Sequence, residues 1–423
     1  MLGTAAGGIV AFGLFAAALA RWPALVLIVA SCLAVINWEV PVSPLLVNVA
    51  GISIYPEDAI TAAVLAITIA RPSRLVRVLT GLRPSFIVLL IILTGSLVAG
   101  YATFGSAAVT EFREFAYSIG ITVWAVNQDW GSPQWVRRLR LWAKVTGVIL
   151  VLVLLFHAAM YGLGAADTFV TSWTTGELRT NRPLVSSQAL LLTCFGFVLF
   201  GQNRATKSSD VFFGSIFLIA AVLCQHRSVW LAIGIAVVTV AVHLRGVALA
   251  RLVVGSVVLL LTGSLLVLSG VVKPLVDSLL YSITSSGTLE NRELSWLILV
   301  QQNIDLGIWT VLFGQPFGTG YFRVLDGLEV YYGPHNWYVS IFLRTGVVGL
   351  AVFVIALVTT LVKLVRRRDL VAVAIVAAIA TYCWTYAIAW YACILLGWAI
   401  VRAAHPRPPA NTSLVTESFF ASR

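Results

Sequence analysis

The chain has 423 residues, of which 60% are hydrophobic and only 11% charged. A water-soluble domain carries roughly a quarter charged residues, so this composition excludes an ordinary soluble enzyme and points to a polytopic membrane protein. The net charge of +11 does not call for a nucleic-acid partner, because the basic residues gather in short connections between apolar runs, where they set orientation.

The first apolar run, "AAGGIVAFGLFAAALA", has no basic stretch before it and is followed at once by others, so it is not expected to be a cleaved signal. A second run follows "RWP" at Arg21. From there the basic clusters mark one face of the membrane, expected to be the cytoplasmic one. They are Arg71, Arg74, Arg77 and Arg83; Arg137, Arg138, Arg140 and Lys144; Arg204 and Lys207; Arg245 and Arg251; Lys363 with Arg366, Arg367 and Arg368; and Arg402 with Arg407. Alternation between them predicts spans at 57–71, 84–101, 113–128, 141–161, 184–201, 209–225, 228–244, 252–269 and 337–361, with a last hairpin inside 370–402. Counting the first 55 residues, about twelve crossings are expected in an all-α polytopic integral membrane protein. Residues 1–269 form its N-terminal helical region. Residues 270–336 form a long external loop with an amphipathic lid helix at about 290–312. Residues 337–402 return to the membrane, and 403–423 have the composition of a disordered cytoplasmic tail. Cys32, Cys194, Cys224, Cys383 and Cys393 all lie in apolar runs without a CxxC pair. They read as small buried hydrophobes, and neither a disulfide framework nor a metal site is expected.

Several cations break the positive-inside pattern. Arg323 and Lys273 are expected to be solvated loop charges, and Arg113, between Glu111 and Glu114, to sit in a local ion pair. Arg227 falls at a tight turn in "CQHRSVWLAIG", and Arg179 and Arg182 lie in "GELRTNRPL" just before a span. Arg292, in "TLENRELSWLILVQQ", shares a helical face with Trp296 four residues on, an aromatic expected to anchor that face at the membrane interface. The stretch "YYGPHNWYVSIFLRTGVVGL" then places His335 and Asn336 at the doorway of a membrane helix. Several guanidiniums and one imidazole thus converge on the depth of lipid phosphates. Guanidinium is suited to bidentate binding of phosphate oxygens. No Walker loop, GxGxxG, HExxH or nucleophile elbow competes for the chemistry. His157, alone within "VLVLLFHAAMYG", reads as a packed, hydrogen-bonded residue of a span.

The order of these elements carries a resemblance. His335 and Asn336, nine residues, then Gly346 and Gly349 in "GVVG" resemble the signature of the O-antigen ligase and Wzy-type polymerase superfamily. Arg227, the "NRELSW" segment and the Gly-rich "LFGQPFGTGYF" resemble its preceding elements in order, over roughly residues 179–360. Arg344 departs from the pattern, standing where many members carry an acidic residue. The resemblance implies a GT-C-like fold in the bacterial inner membrane with an active site facing the periplasm. The implied reaction is a metal-independent, inverting glycosyl transfer without cofactor. The donor would be an undecaprenyl-pyrophosphate-linked glycan. The acceptor would be a sugar hydroxyl on lipid A core for a ligase, or on another lipid-linked glycan for a polymerase.

In this reaction His335 is the expected general base, since a neutral imidazole suits proton removal from an attacking hydroxyl. Arg227 and Arg292 are assigned to the pyrophosphate, with Arg179 or Arg182 as a third contact. Asn336 is expected to orient His335 or a hydroxyl, and Tyr331 and Tyr332 to stack on sugar rings. Gly346 and Gly349 are expected to permit close helix packing. A transporter or flippase of lipid-linked sugars is the more distant alternative.

Overall fold

Long uncharged runs of Leu, Val, Ala and Ile bounded by Pro and Gly give helices, and the described residues are mostly helical. The computed structural model describes residues 2–38, 45–49, 52–71, 73, 84–162, 169–171, 178–201, 208–244, 287–325 and 327–404. Within them the helices are α1 (Leu2–Arg21), α2 (Leu25–Ile36), α3 (Pro56–Ile69), α4 (Pro84–Phe104), α5 (Ser106–Val126), α6 (Pro133–Tyr161) and α7 (Ser186–Phe200). They continue as α8 (Ser208–Leu223), α9 (Arg227–Ala241), α10 (Gly287–Asp305), α11 (Ile308–Phe313), α12 (Trp337–Arg366), α13 (Leu370–Tyr382) and α14 (Cys393–Ala404). Proline opens α3, α4 and α6, a position where its missing N–H costs nothing.

Helix α7 is apolar on every side, with Leu190, Leu191, Leu192 and Phe195 fully buried, which places it inside the bundle. It packs on α8 and α13, α13 packs on α9, α5 packs on α14, and α4 on α12. Near one end, Lys144 reaches Asp210 at 2.5 Å, and Arg402 pairs with Asp369.

Three helices are long and apolar enough to cross a membrane: α4 over Phe86–Phe104, α6 and α12. The pair α1 and α2 meets at 115°, so it makes a broken span or a re-entrant loop, for up to four crossings among the described residues. This is fewer than the expected twelve: α5 has 21 residues but carries Glu111, Arg113 and Glu114, and other apolar helices are short. Helices α3, α7, α8, α9 and α13 have 14, 15, 16, 15 and 13 residues, or roughly 20–24 Å at about 1.5 Å each, against a hydrocarbon core of about 30 Å. The expected span 252–269 lies outside the described residues, as do residues 270–286 of the long loop and 405–423 of the tail.

Within the all-α architecture the described connections hold three small antiparallel hairpins: β1–β2 (Val47–Val49 with Ile52–Ile54), β3–β4 (Phe169–Thr171 with Leu178–Thr180) and β5–β6 (Arg323–Leu325 with Leu328–Val330). The expected single lid helix at 290–312 is instead α10 and α11, separated at Gly307, whose φ of 109° no ordinary helix accommodates. Asn303 Nδ2 donates to the Thr310 carbonyl at 3.1 Å and Thr310 Oγ1 to the Asn303 carbonyl at 2.7 Å, which locks the elbow.

Helix α12 is broken too, at Gly346 (φ 63°). The end of α11 lies in that notch, where a side chain on Gly346 would strike the Leu312 and Phe313 backbones and one on Gly314 the Arg344 and Thr345 backbones. The Leu343 carbonyl freed by the break accepts from Gln315 N at 2.7 Å. Gly346 thus permits a close backbone approach, as the sequence suggests.

Candidate anion site

Helix α12 begins where Asn336 Oδ1 accepts from Val339 N at 3.1 Å. Asn336 is buried and its Oδ1 serves as a helix cap, a role the sequence reading did not assign to it. His335 just before it has φ 51° in the left-handed region, and its ring is open to the surface. The ring lies 5.4 Å from that of Tyr332 and 6.2 Å from that of Tyr386. Pro334 receives the Trp296 indole N–H on its carbonyl at 2.5 Å. Trp296 is buried against Trp384, so it ties the lid helix to the His335 turn in place of the interfacial anchoring expected from sequence.

One turn before Trp296, on the same inward face, Arg292 donates from Nη2 to the Tyr386 hydroxyl at 3.2 Å and from Nη1 to the Thr385 carbonyl at 3.3 Å. Its guanidinium lies 4.7 Å from the centre of the Tyr386 ring. Arg182 approaches from the segment between β4 and α7. It bonds the same Tyr386, and its Nη1 lies 3.1 Å from His226 Nδ1. His226 Nε2 is 2.8 Å from the Leu184 carbonyl. A carbonyl only accepts, so Nε2 carries the proton and Nδ1 accepts from Arg182. Burial, then the Arg182 charge, lowers the His226 pKa to about 3, which keeps this imidazole neutral.

Arg227 follows His226 directly as the first residue of α9, half-buried and close enough to repel Arg182. Burial lowers the pKa of Arg182, and the neighbouring Arg292 and Arg227 charges act in the same direction. Among the described residues its Nε has no hydrogen-bond partner. Burial raises the Tyr386 hydroxyl, but the Arg292 and Arg182 guanidiniums more than offset this and hold it below the ordinary phenol value. Desolvation, with Arg292 and Arg323 nearby, lowers His335 below the usual 6.5. At neutral pH the imidazole is therefore uncharged and able to accept a proton.

Arg182, Arg227, Arg292 and His335 thus share one neighbourhood. Arg179 lies in β4 opposite Val170, and the described contacts to this neighbourhood come from Arg182. Tyr332 joins it, lying between His335 and the Arg323 guanidinium, 5.0 Å from its ring. Tyr331 instead packs on Phe322 at 5.2 Å and donates to Glu329 at 2.5 Å, within the β5–β6 hairpin.

Arg323 and Arg113 take places other than those expected, and Arg344 finds a carboxylate partner. Arg323 is buried, not solvated: it donates to the carbonyls of Tyr321 at 2.8 Å and Tyr332 at 2.7 Å and so fastens the hairpin. Arg113 pairs with Asp58 at 3.2 Å and the Ser53 carbonyl, not with its flanking glutamates. Arg344 forms a buried ion pair with Glu111, and also donates to Thr319 Oγ1 and the Gly320 carbonyl, each at 2.6 Å. Glu111 in turn accepts from Gly318 N at 2.7 Å and Gly320 N at 3.2 Å, so this pair shapes the Gly-rich loop. His157 is fully buried in α6, with Nε2 2.8 Å from Asn181 Oδ1. All five cysteines are free; four are buried and Cys32 is exposed.

Tyr386 and His226 escape the sequence reading. The density of aromatics in "TYCWTYAIAWYA" and the imidazole beside Arg227 in "QHRS" are the signals that point to them.

Fold and site together define a helical protein with some helices long and apolar enough to cross a membrane, in which Arg182 and Arg292 are held by neutral described partners beside a neutral imidazole. No protein-family model matches the chain, and no curated protein matches it.

Proposed function

We propose that this chain is a glycosyltransferase of the O-antigen ligase kind. It takes a glycan from undecaprenyl pyrophosphate and passes it to a sugar hydroxyl on lipid A core. On this proposal it resides in the bacterial inner membrane with about twelve crossings, the shorter apolar helices included, and its site faces the periplasm. The observation that carries the proposal is that Arg182 and Arg292 meet at one phenol with no carboxylate among their described partners, beside an uncharged His335. Such a cluster retains positive charge for an anionic ligand. An apolar cavity of about 130 Å³ lined by Phe86, Leu93, Phe115, Trp337, Ile341 and Phe353 lies next to the start of α12 and suits a substrate with a hydrocarbon chain.

In the reaction, the acceptor oxygen attacks the anomeric carbon from the side opposite the pyrophosphate. His335 takes the hydroxyl proton and becomes imidazolium as the new carbon–oxygen bond forms. The old bond breaks, and its electron pair leaves on the pyrophosphate, whose growing charge meets Arg182, Arg227 and Arg292, already in position. Inversion at the anomeric carbon follows from the opposed faces.

The test is reconstitution of purified protein in vesicles with an undecaprenyl-pyrophosphate glycan and either a core or a lipid-linked acceptor. Transfer to core is expected, and joining to the lipid-linked acceptor alone would make the enzyme a polymerase. Movement of the donor across the vesicle membrane without joining would replace the enzyme by a transporter.

A further inference from the structure

Helix α10 has two faces. Arg292, Trp296, Leu299 and Asn303, spaced four, three and four residues apart, turn toward the protein, and the last three are buried. Leu294, Leu297, Gln301 and Ile304, spaced three, four and three apart, turn away and are exposed, Leu297 by 67%. The apolar exposure continues around the elbow through Leu306 (63%), Ile308, Trp309 (71%) and Phe313, with Trp309 stacked on Phe313 at 6.1 Å. A helix lying in water presents polar residues on its outward face.

The depth of this elbow follows from α12. Its basic end, Lys363 to Arg368, marks one headgroup boundary. A hydrocarbon core of about 30 Å takes about 20 residues, and counting back that far from Val365 reaches Gly346. The end of α11 rests in the Gly346 notch, which puts Trp309 and Phe313 at the opposite headgroup boundary, where tryptophan concentrates. Just past the notch, Val347, Val354, Ile355 and Val358 of α12 are exposed along the span, so the elbow prolongs a lipid-facing surface. Its sequence from 304 to 313, "IDLGIWTVLF", contains no basic residue, and Asp305 is engaged by Gln301 at 2.7 Å. The attraction is therefore to acyl chains and not to anionic headgroups.

We propose that the α10–α11 elbow is a membrane anchor, with Leu306, Ile308, Trp309 and Phe313 inserted among phospholipid acyl chains just below the headgroups, on the face opposite Lys363–Arg368. The lid is thereby pinned at one end to the bilayer. This rests on the membrane placement of α12 and not on the transfer chemistry, so it stands or falls independently of the proposed reaction.

The test uses the full chain in vesicles of neutral phosphatidylcholine, in a Cys32→Ser background whose remaining four thiols are buried. Leu306→Cys and, as a water-facing reference, Glu329→Cys each carry a nitroxide. The label at 306 should be relaxed by oxygen and shielded from a water-soluble nickel chelate, and the label at 329 should show the reverse. Equal nickel access at both sites would place the elbow in water and overturn the anchor. Shielding at 306 with spin–spin broadening that disappears on dilution with unlabelled protein would show a second copy covering the elbow and overturn it equally. Should Leu306→Cys misfold, the fluorescence lost in Trp309→Phe supplies the same reading. That component should be quenched more by lipids brominated near the glycerol end than by lipids brominated near the chain terminus. Absence of quenching by either would refute the proposal.

Discussion

Arg344 and Arg292 sit in almost the same local geometry, each guanidinium over a tyrosine ring, at 4.6 Å from Tyr321 and 4.7 Å from Tyr386. Their remaining partners differ. Arg344 meets the carboxylate of Glu111, and the two charges cancel inside a loop they hold together. Arg292 meets a phenol and a carbonyl, which occupy two of its N–H groups but leave its charge. A guanidinium removed from water needs its donors occupied. A charged occupant makes the residue a strut, and a neutral one leaves its charge for an anion, so the counterion, more than the cation, separates the structural Arg344 from the candidate site residue Arg292.

Four substitutions sharpen or break this contrast. The largest effect belongs to His335→Ala, expected to lower transfer on the order of a thousandfold without loss of folding; normal turnover in reconstituted vesicles would remove His335 from the chemistry. Because only the neutral ring accepts a proton and its pKa lies below 6.5, the acid limb of a kcat/KM profile should have its midpoint below 6.5. Arg344→Ala comes next: it strands Glu111 in a buried setting and should cost about 3 kcal/mol of stability or more, read as a lowered melting temperature. A thermally normal Arg344→Ala protein would dissolve the strut half of the comparison. Arg292→Ala should do the opposite, leaving melting nearly unchanged while cutting transfer about a hundredfold, roughly 3 kcal/mol at the transition state. It should also shift the acid limb upward, since a positive neighbour of His335 is gone. The smallest effect is expected from Asn336→Ala, about 1 kcal/mol of stability for a lost helix cap. A collapse of activity there at unchanged stability would return Asn336 to the catalytic group.

Much of the membrane character was legible because apolar runs and their basic punctuation are local properties of the chain. The crossing count was legible only in part, since hydropathy marks a run such as 370–382 as apolar without revealing how long its helix is. At the site, Arg182, Arg227, Arg292 and His335 stood out because cations and an imidazole are rare near lipid. Tyr386 did not, because an aromatic between two apolar runs is ordinary until the fold delivers two guanidiniums to its hydroxyl. Trp296 was recognised as important and misassigned, and the capping role of Asn336 was missed. Their partners, the Pro334 carbonyl and the Val339 amide, are backbone atoms, about which a side-chain pattern says nothing. Arg323 was misread for the same reason: two carbonyls draw it inward.

His226 has a consequence that reaches beyond holding Arg182. With its pKa near 3, it stays uncharged through mild acid, while His335 takes up its proton below the usual 6.5. On the proposed chemistry, acidification would leave the pyrophosphate grip intact and disable only the step that follows. The protein would then sit loaded but idle, ready to resume as soon as the pH rose, with no need to capture its donor again.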